Sequence, residues 1–201
     1  MRAFRAGAGV LVLGVVAACS DPVSRPTGDA SANQIASFDG RDGDQGSSQF
    51  DEPRVEVYDD CKPTDPGWAP TGGCTLSGGK VNLDEFIKFL ASPLSQSVVG
   101  HPAWRMEKSY IKIQPNTDVE VENEGGRLHT FTNVAQFGGG RVPPLNQGLT
   151  PAPECALPPG APDTTAVLPG AVIVIQGLAL GNHRFQCCIH PWMRALIKVT
   201  N

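Results

Sequence analysis

Short runs with the alternation or β-branched content of strands fill the second half of the chain. They are "SYIKI" (109–113), "DVEVEN" (118–123), "HTFTNV" (129–134), "AVIVIQGL" (171–178), "HRFQC" (183–187) and "LIKVT" (196–200). Turn signals separate them at "QPNT", "EGGR" and "LALGN". One stretch changes to a helical period. In "NLDEFIKFLASP", Asn82 and Glu85 have capping-box spacing, Leu83, Phe86 and Leu90 share a face, and Pro93 stops the run. These elements predict an all-β sandwich or barrel with one helix laid on it as a lid or bracket, rather than a parallel α/β fold.

The first twenty residues follow another pattern. "MRAFRAGAGVLVLGVVAACS" sets Arg2 and Arg5 before an uncharged, mostly apolar run from Ala6 to Ala18. Such a run is too short to span a bilayer comfortably and has the form of an export signal, residues 1–18. Its end, "VVAAC", resembles the lipobox of bacterial lipoproteins, which implies that Cys19 is acylated and becomes the membrane anchor. From there to about Glu52 the chain is rich in Ser, Asp and Gly with almost no apolar periodicity, the composition of a flexible, mildly acidic tether, residues 19–52. At about 5–6 Å × √n its reach is roughly 30 Å. The expected location is therefore the cell envelope, as a membrane-anchored lipoprotein facing the periplasm or the cell exterior.

Composition narrows the picture further. The 201 residues carry a formal charge of −4, with 23 Gly, 18 Pro and 18% charged residues, which leaves room for one loop-rich domain and gives no sign of nucleic-acid binding. We divide the remainder into an N-terminal extension with one helix (53–103) and a β domain (104–201). Inside the latter lies a Gly/Pro-rich insertion, residues 138–170, and a loop of that length is usually functional or covalently pinned.

The candidate chemistry sits near the C-terminus in "FQCCIHPWMRALIKV". Cys187, His190 and Met193 follow a C-x-x-H-P-x-M spacing, so that a thiolate, an imidazole and a thioether converge from one loop. Thiolate and thioether suit Cu(I) and imidazole suits both oxidation states; two His, one Cys and a weak axial Met make the blue-copper electron-transfer site. A second imidazole is missing from this loop. His183 is four residues from Cys187 along an extended strand, roughly 13 Å away, and cannot share its ion. His129, opening a strand directly after a polar turn, is the favoured ligand, with His101 in reserve.

"GNHRFQCCIHPWMRALIKV" together with "VEVENEGGRLHTFTNV" resembles the cupredoxins, the type-1 blue copper proteins, and the metal loop resembles that of the amicyanins. The resemblance runs from about Trp104 to Asn201. It implies a Greek-key β-sandwich holding one type-1 copper ion on His129, Cys187, His190 and Met193, with His190 on the solvent side as the electron exit. The chain departs from the family where a hydrogen bond usually ties the two ligand loops. Asn after the first His is here Thr130, and Ser or Thr after the ligand Cys is here Cys188, which puts that tie in doubt. The long insertion and the N-terminal piece are further departures.

Six cysteines less Cys19 and Cys187 leave Cys61, Cys74, Cys155 and Cys188 in an oxidising compartment. We favour Cys61 with Cys74 and Cys155 with Cys188 among the three possible connectivities. A binuclear copper centre on Cys187 and Cys188 is disfavoured because adjacent residues do not readily bridge two ions. With four His in the chain, two of them assigned, there are too few for a second, catalytic copper centre, and the protein reads as non-enzymatic. The leading expectation is a one-electron carrier serving a redox protein partner in the envelope. A copper-handling lipoprotein for storage or delivery, or an interaction module, is the alternative.

Overall fold

A computed structural model describes residues 50–92 and 99–201. The export signal, Cys19, nearly all of the tether and Pro93 lie outside the described residues.

The strands are β1 (Arg54–Tyr58), β2 (Arg105–Glu107), β3 (Tyr110–Ile113), β4 (Val119–Asn123), β5 (His129–Thr130), β6 (Thr132–Val134), β7 (Ala166–Val167), β8 (Val172–Ile175), β9 (Gly181–Gln186) and β10 (Arg194–Val199). They form one sheet in the order β2-β1-β4-β8, a second in the order β3-β10-β9-β6, and a two-stranded ladder of β5 with β7. β1 runs parallel to β4 and β10 parallel to β3, while the other pairs are antiparallel. The fold is an all-β sandwich with short helical additions. Alternation decides which face is buried: Val55 and Val57 of β1, Val119 and Val121 of β4, and Ala195, Ile197 and Val199 of β10 all enter one core.

Two details of the strands differ from the pattern reading. Residues 54–58, placed in an extension, form an interior strand of the first sheet, because β1 supplies the partner that β4 lacks on one side. The run 129–134 is not one strand. His129 and Thr130 pair with β7, Thr132 to Val134 pair with β9, and between them Phe131 turns its amide to Thr165 O (2.8 Å) and stacks on Phe185. The chain thus leaves one ladder for another at the ring.

Helix α1 (Leu83–Leu90) starts at Asn82, but the Asn82 side chain makes no capping bond. Asp65 replaces it from outside the helix, accepting the Leu83 amide at 2.7 Å on one oxygen and the Gly67 amide at 3.0 Å on the other. Phe86 is buried, and Leu83 and Leu90 pack beside it on the core. Both favoured disulfides form: Cys61 bonds Cys74, and Cys155 bonds Cys188. The second ties the insertion to the residue after Cys187.

Candidate metal centre

Strand β9 ends at Gln186, and the loop that follows closes on itself. The Cys187 amide donates to Met193 O (3.0 Å) and the Met193 amide to His190 O (2.9 Å), so the loop returns Met193 to the strand end that carries Cys187. Both side chains belong to the main core and are almost fully buried. β5 delivers the third element. His129 Nδ1 and His190 Nδ1 each lie 3.8 Å from Cys187 Sγ, and the amides of Thr130 and His190 point at the same sulfur at 3.4 Å. Ligand atoms of His129, Cys187 and His190 all fall within 4.8 Å of one another, in a group able to hold a metal ion.

The protonation pattern of the metal-free protein favours two of these donors, Cys187 and His190, and leaves His129 holding a proton that a metal ion would displace. Burial would raise the Cys187 thiol, but hydrogen bonds and charge from His129 and His190 hold it well below the usual thiol range. Burial pushes the His190 imidazole down, against the pull of Cys187. Burial would lower His129 as well, yet Asp59 and Cys187 raise it to about 9.

Asp59 carried no signal in the sequence that set it apart from Asp60. Its carboxylate is buried directly behind His129, with Oδ2 taking His129 Nε2 at 2.8 Å and the Arg127 amide at 2.9 Å. Oδ1 takes the amides of Gly126 (3.1 Å) and Cys61 (3.3 Å). A side chain at Gly125 would collide with this carboxylate, so the "EGGR" turn needs glycine there to admit Asp59.

The tie between the ligand loops, placed in doubt by Thr130 and Cys188, is present. The Cys188 amide donates to Thr130 Oγ1 at 2.7 Å. The Thr130 hydroxyl serves as the acceptor, and only the backbone of Cys188 is needed for it. The Cys188 side chain turns into a separate cluster with Val134, Ala152 and Cys155.

The other two histidines stand apart. His101 stacks on Phe86, packs edge-on to Trp104 and accepts the Ala103 amide, and His183 bonds Ala179 O at the far end of β9. Trp68, Trp104 and Trp192 are packing residues: Trp68 and Trp104 lie against Phe86 and each other, and Trp192 Nε1 donates to Trp104 O. This aromatic bracket covers the imidazole pictured on the solvent side. His190 is 5% exposed. It lies at a pocket of about 410 Å³ walled by Leu83, Phe86 and Ile87 of α1 and by Val142, Pro144 and Leu145 of the insertion.

No family model matches the chain, and no curated protein matches it. Among solved structures, a purple cupredoxin from Nitrosopumilus maritimus is similar at 15% identity over 50% of this chain and 86% of that one, with a TM-score of 0.34. A reduced proline-to-phenylalanine variant of amicyanin is similar at 16% identity over 47% of this chain and 71% of that one, TM-score 0.31. A reduced tryptophan-to-tyrosine variant of amicyanin gives 16%, 48%, 73% and 0.32.

Proposed function

We propose that this chain is a one-electron carrier that holds a single type-1 copper ion on His129, Cys187, His190 and Met193, tethered to the cell envelope through Cys19. The observation that carries the reading is the donor set: two imidazole Nδ1 atoms, each 3.8 Å from one buried sulfur, with the Met193 backbone folded back onto Cys187 and its side chain in the same core. When bound, copper supplies reversible one-electron chemistry between its two oxidation states. The protein's part is to keep the donors where both states accept them. Two amides point at the sulfur, Asp59 holds His129, and the aromatic bracket excludes water from His190. His101 and His183 are the two remaining imidazoles of the chain, too few for a second, catalytic centre, which favours a carrier over a copper enzyme. Electrons pass to an envelope redox partner through the His190 side, where the apolar pocket reaches the imidazole.

The test is the visible absorption and copper EPR spectrum of the Cu(II)-loaded chain beside that of Cys187→Ser, followed by voltammetry. An intense thiolate-to-copper band with narrow hyperfine splitting, lost in the variant, and reversible one-electron voltammetry support the reading. A spectrum indifferent to Cys187 overturns it, and a blue protein without reversible voltammetry points to copper handling. Anchoring is tested separately by fatty-acid labelling of the wild type and Cys19→Ala in a lipoprotein-processing host.

A further inference from the structure

We propose that Asp59 is a positioning residue for the metal centre: its carboxylate turns His129 Nδ1 toward Cys187 and adds a buried negative charge that favours a divalent over a monovalent ion. The inference rests on the copper reading above and deepens it.

The geometry is over-determined. Four N–H groups converge on the two carboxylate oxygens at 2.8 to 3.3 Å, from Cys61, Gly126, Arg127 and His129. Three of these are backbone amides, so the carboxylate cannot swing away without stripping its own turn. Because Nε2 of His129 is spent on Asp59, Nδ1 is the nitrogen left for the sulfur side. A carboxylate behind a ligating imidazole fixes the tautomer and raises the basicity of the ligand.

Charge supplies the second half. The group contains the Cys187 thiolate and the Asp59 carboxylate, and the side chains of Asp59 and His129 are fully buried. A divalent ion cancels these two charges, whereas a monovalent ion leaves one uncompensated in a low-dielectric site. The guanidinium of Arg127 is not turned to the carboxylate. It lies over Trp68 and donates to the carbonyls of Thr71 and Gly73, while its amide serves Asp59. Asp59 thus pulls the centre toward its oxidised state and lowers its reduction potential.

The test uses the full chain in detergent, with Cu(I) and Cu(II) affinities measured by competition and the potential by voltammetry, for wild type, Asp59→Asn and Asp59→Glu. In Asp59→Asn the affinity for Cu(II) should fall about 10- to 100-fold, the usual effect of losing such a partner. The affinity for Cu(I) should fall less, so the potential should rise by about 59 mV for each tenfold change in the ratio. Asp59→Glu, which keeps the charge, should recover most of the shift. Equal losses for both ions, with the potential unmoved, would reduce Asp59 to a structural role and overturn the inference. If Asp59→Asn does not fold, 15N NMR of the Cu(I)-loaded wild type decides: a slowly exchanging proton on His129 Nε2 supports the inference, and an Nε2 without a proton sinks it. A wild type that binds copper without the thiolate band ends the carrier reading alone, since the Cu(II)-to-Cu(I) preference is measured independently of colour.

Discussion

The hydroxyl of Thr130 accepts the amide of Cys188 at 2.7 Å, which joins the strand carrying His129 to the loop carrying Cys187 and His190. Replacing Thr130 by Val strands a buried N–H group, at a cost of about 1–3 kcal/mol. Thr130→Ser, which keeps the oxygen, should lose less. Urea denaturation of the metal-free protein distinguishes them, and equal destabilisation would show that the methyl group, not the hydroxyl, matters.

The Cys155–Cys188 disulfide closes a loop across 33 positions, and Cys61–Cys74 one across 13. Chain-entropy reasoning gives the first about 3–4 kcal/mol and the second about 3 kcal/mol. Paired Cys→Ser variants should follow that order in denaturation. The 155/188 pair should additionally broaden or shift the spectrum of the proposed copper centre, since it frees the insertion from the loop that carries Cys187 and His190. A spectrum unchanged by that variant would show that the insertion does not brace the site.

Two buried imidazoles predict acid sensitivity. Burial lowers His101 and, in the metal-free protein, His190. A histidine whose native value lies below its unfolded value of about 6.5 is protonated first in the unfolded chain. Its stabilising share is complete above about pH 6.5 and is lost as pH falls through the native value. Asp59, itself lowered, acts in the same direction but only below its unfolded value of 3.8. His129, raised to about 9, acts in the opposite direction but only above about pH 6.5; the melting temperature of the metal-free protein should therefore decline between about pH 6.5 and 5, and His101→Asn should flatten part of that decline. An identical slope in the variant would rule His101 out as a contributor.

Phe86 joins α1 to the site by touching the rings of Trp68, His101, Trp104, His190 and Trp192. Phe86→Ala should cost about 3–5 kcal/mol and open a path to His190. Carbethoxylation of His190 in the metal-free protein, followed by mass spectrometry, should speed up several-fold. Unchanged labelling would mean that the tryptophans alone shield the ring.

How much of this was legible depended on whether the signal was local. The alternation of Val119, Val121, Ile197 and Val199 marked strands because each residue declares its own face, and the Cys187–His190–Met193 spacing sits within seven residues. Asp59 could not be singled out, since its burial comes from Gly125, Arg127 and His129 folding over it from another part of the chain. The same holds for Asp65, which caps α1 across 18 positions where Asn82 was the nearer candidate. Thr130 read as a departure because one residue type was awaited; the hydrogen bond requires only an acceptor at that height. The cover over His190 depends on α1 and the insertion meeting there, which no periodicity records.

The interior place of β1 bears on how the molecule is made. Arg54 stands opposite Glu120, and Leu196 opposite Tyr110, so both parallel pairings join distant stretches of chain. Non-local pairing of this kind puts folding in the slow class, about milliseconds to seconds, during which the thiols remain open to oxidation and exchange. The loop bearing Cys187, His190 and Met193 leads directly into β10, which lies between β3 and β9. The position of that loop is therefore set at one end by β9 and at the other by β10, so the group of His129, Cys187 and His190 is fixed in place only when the second sheet has paired.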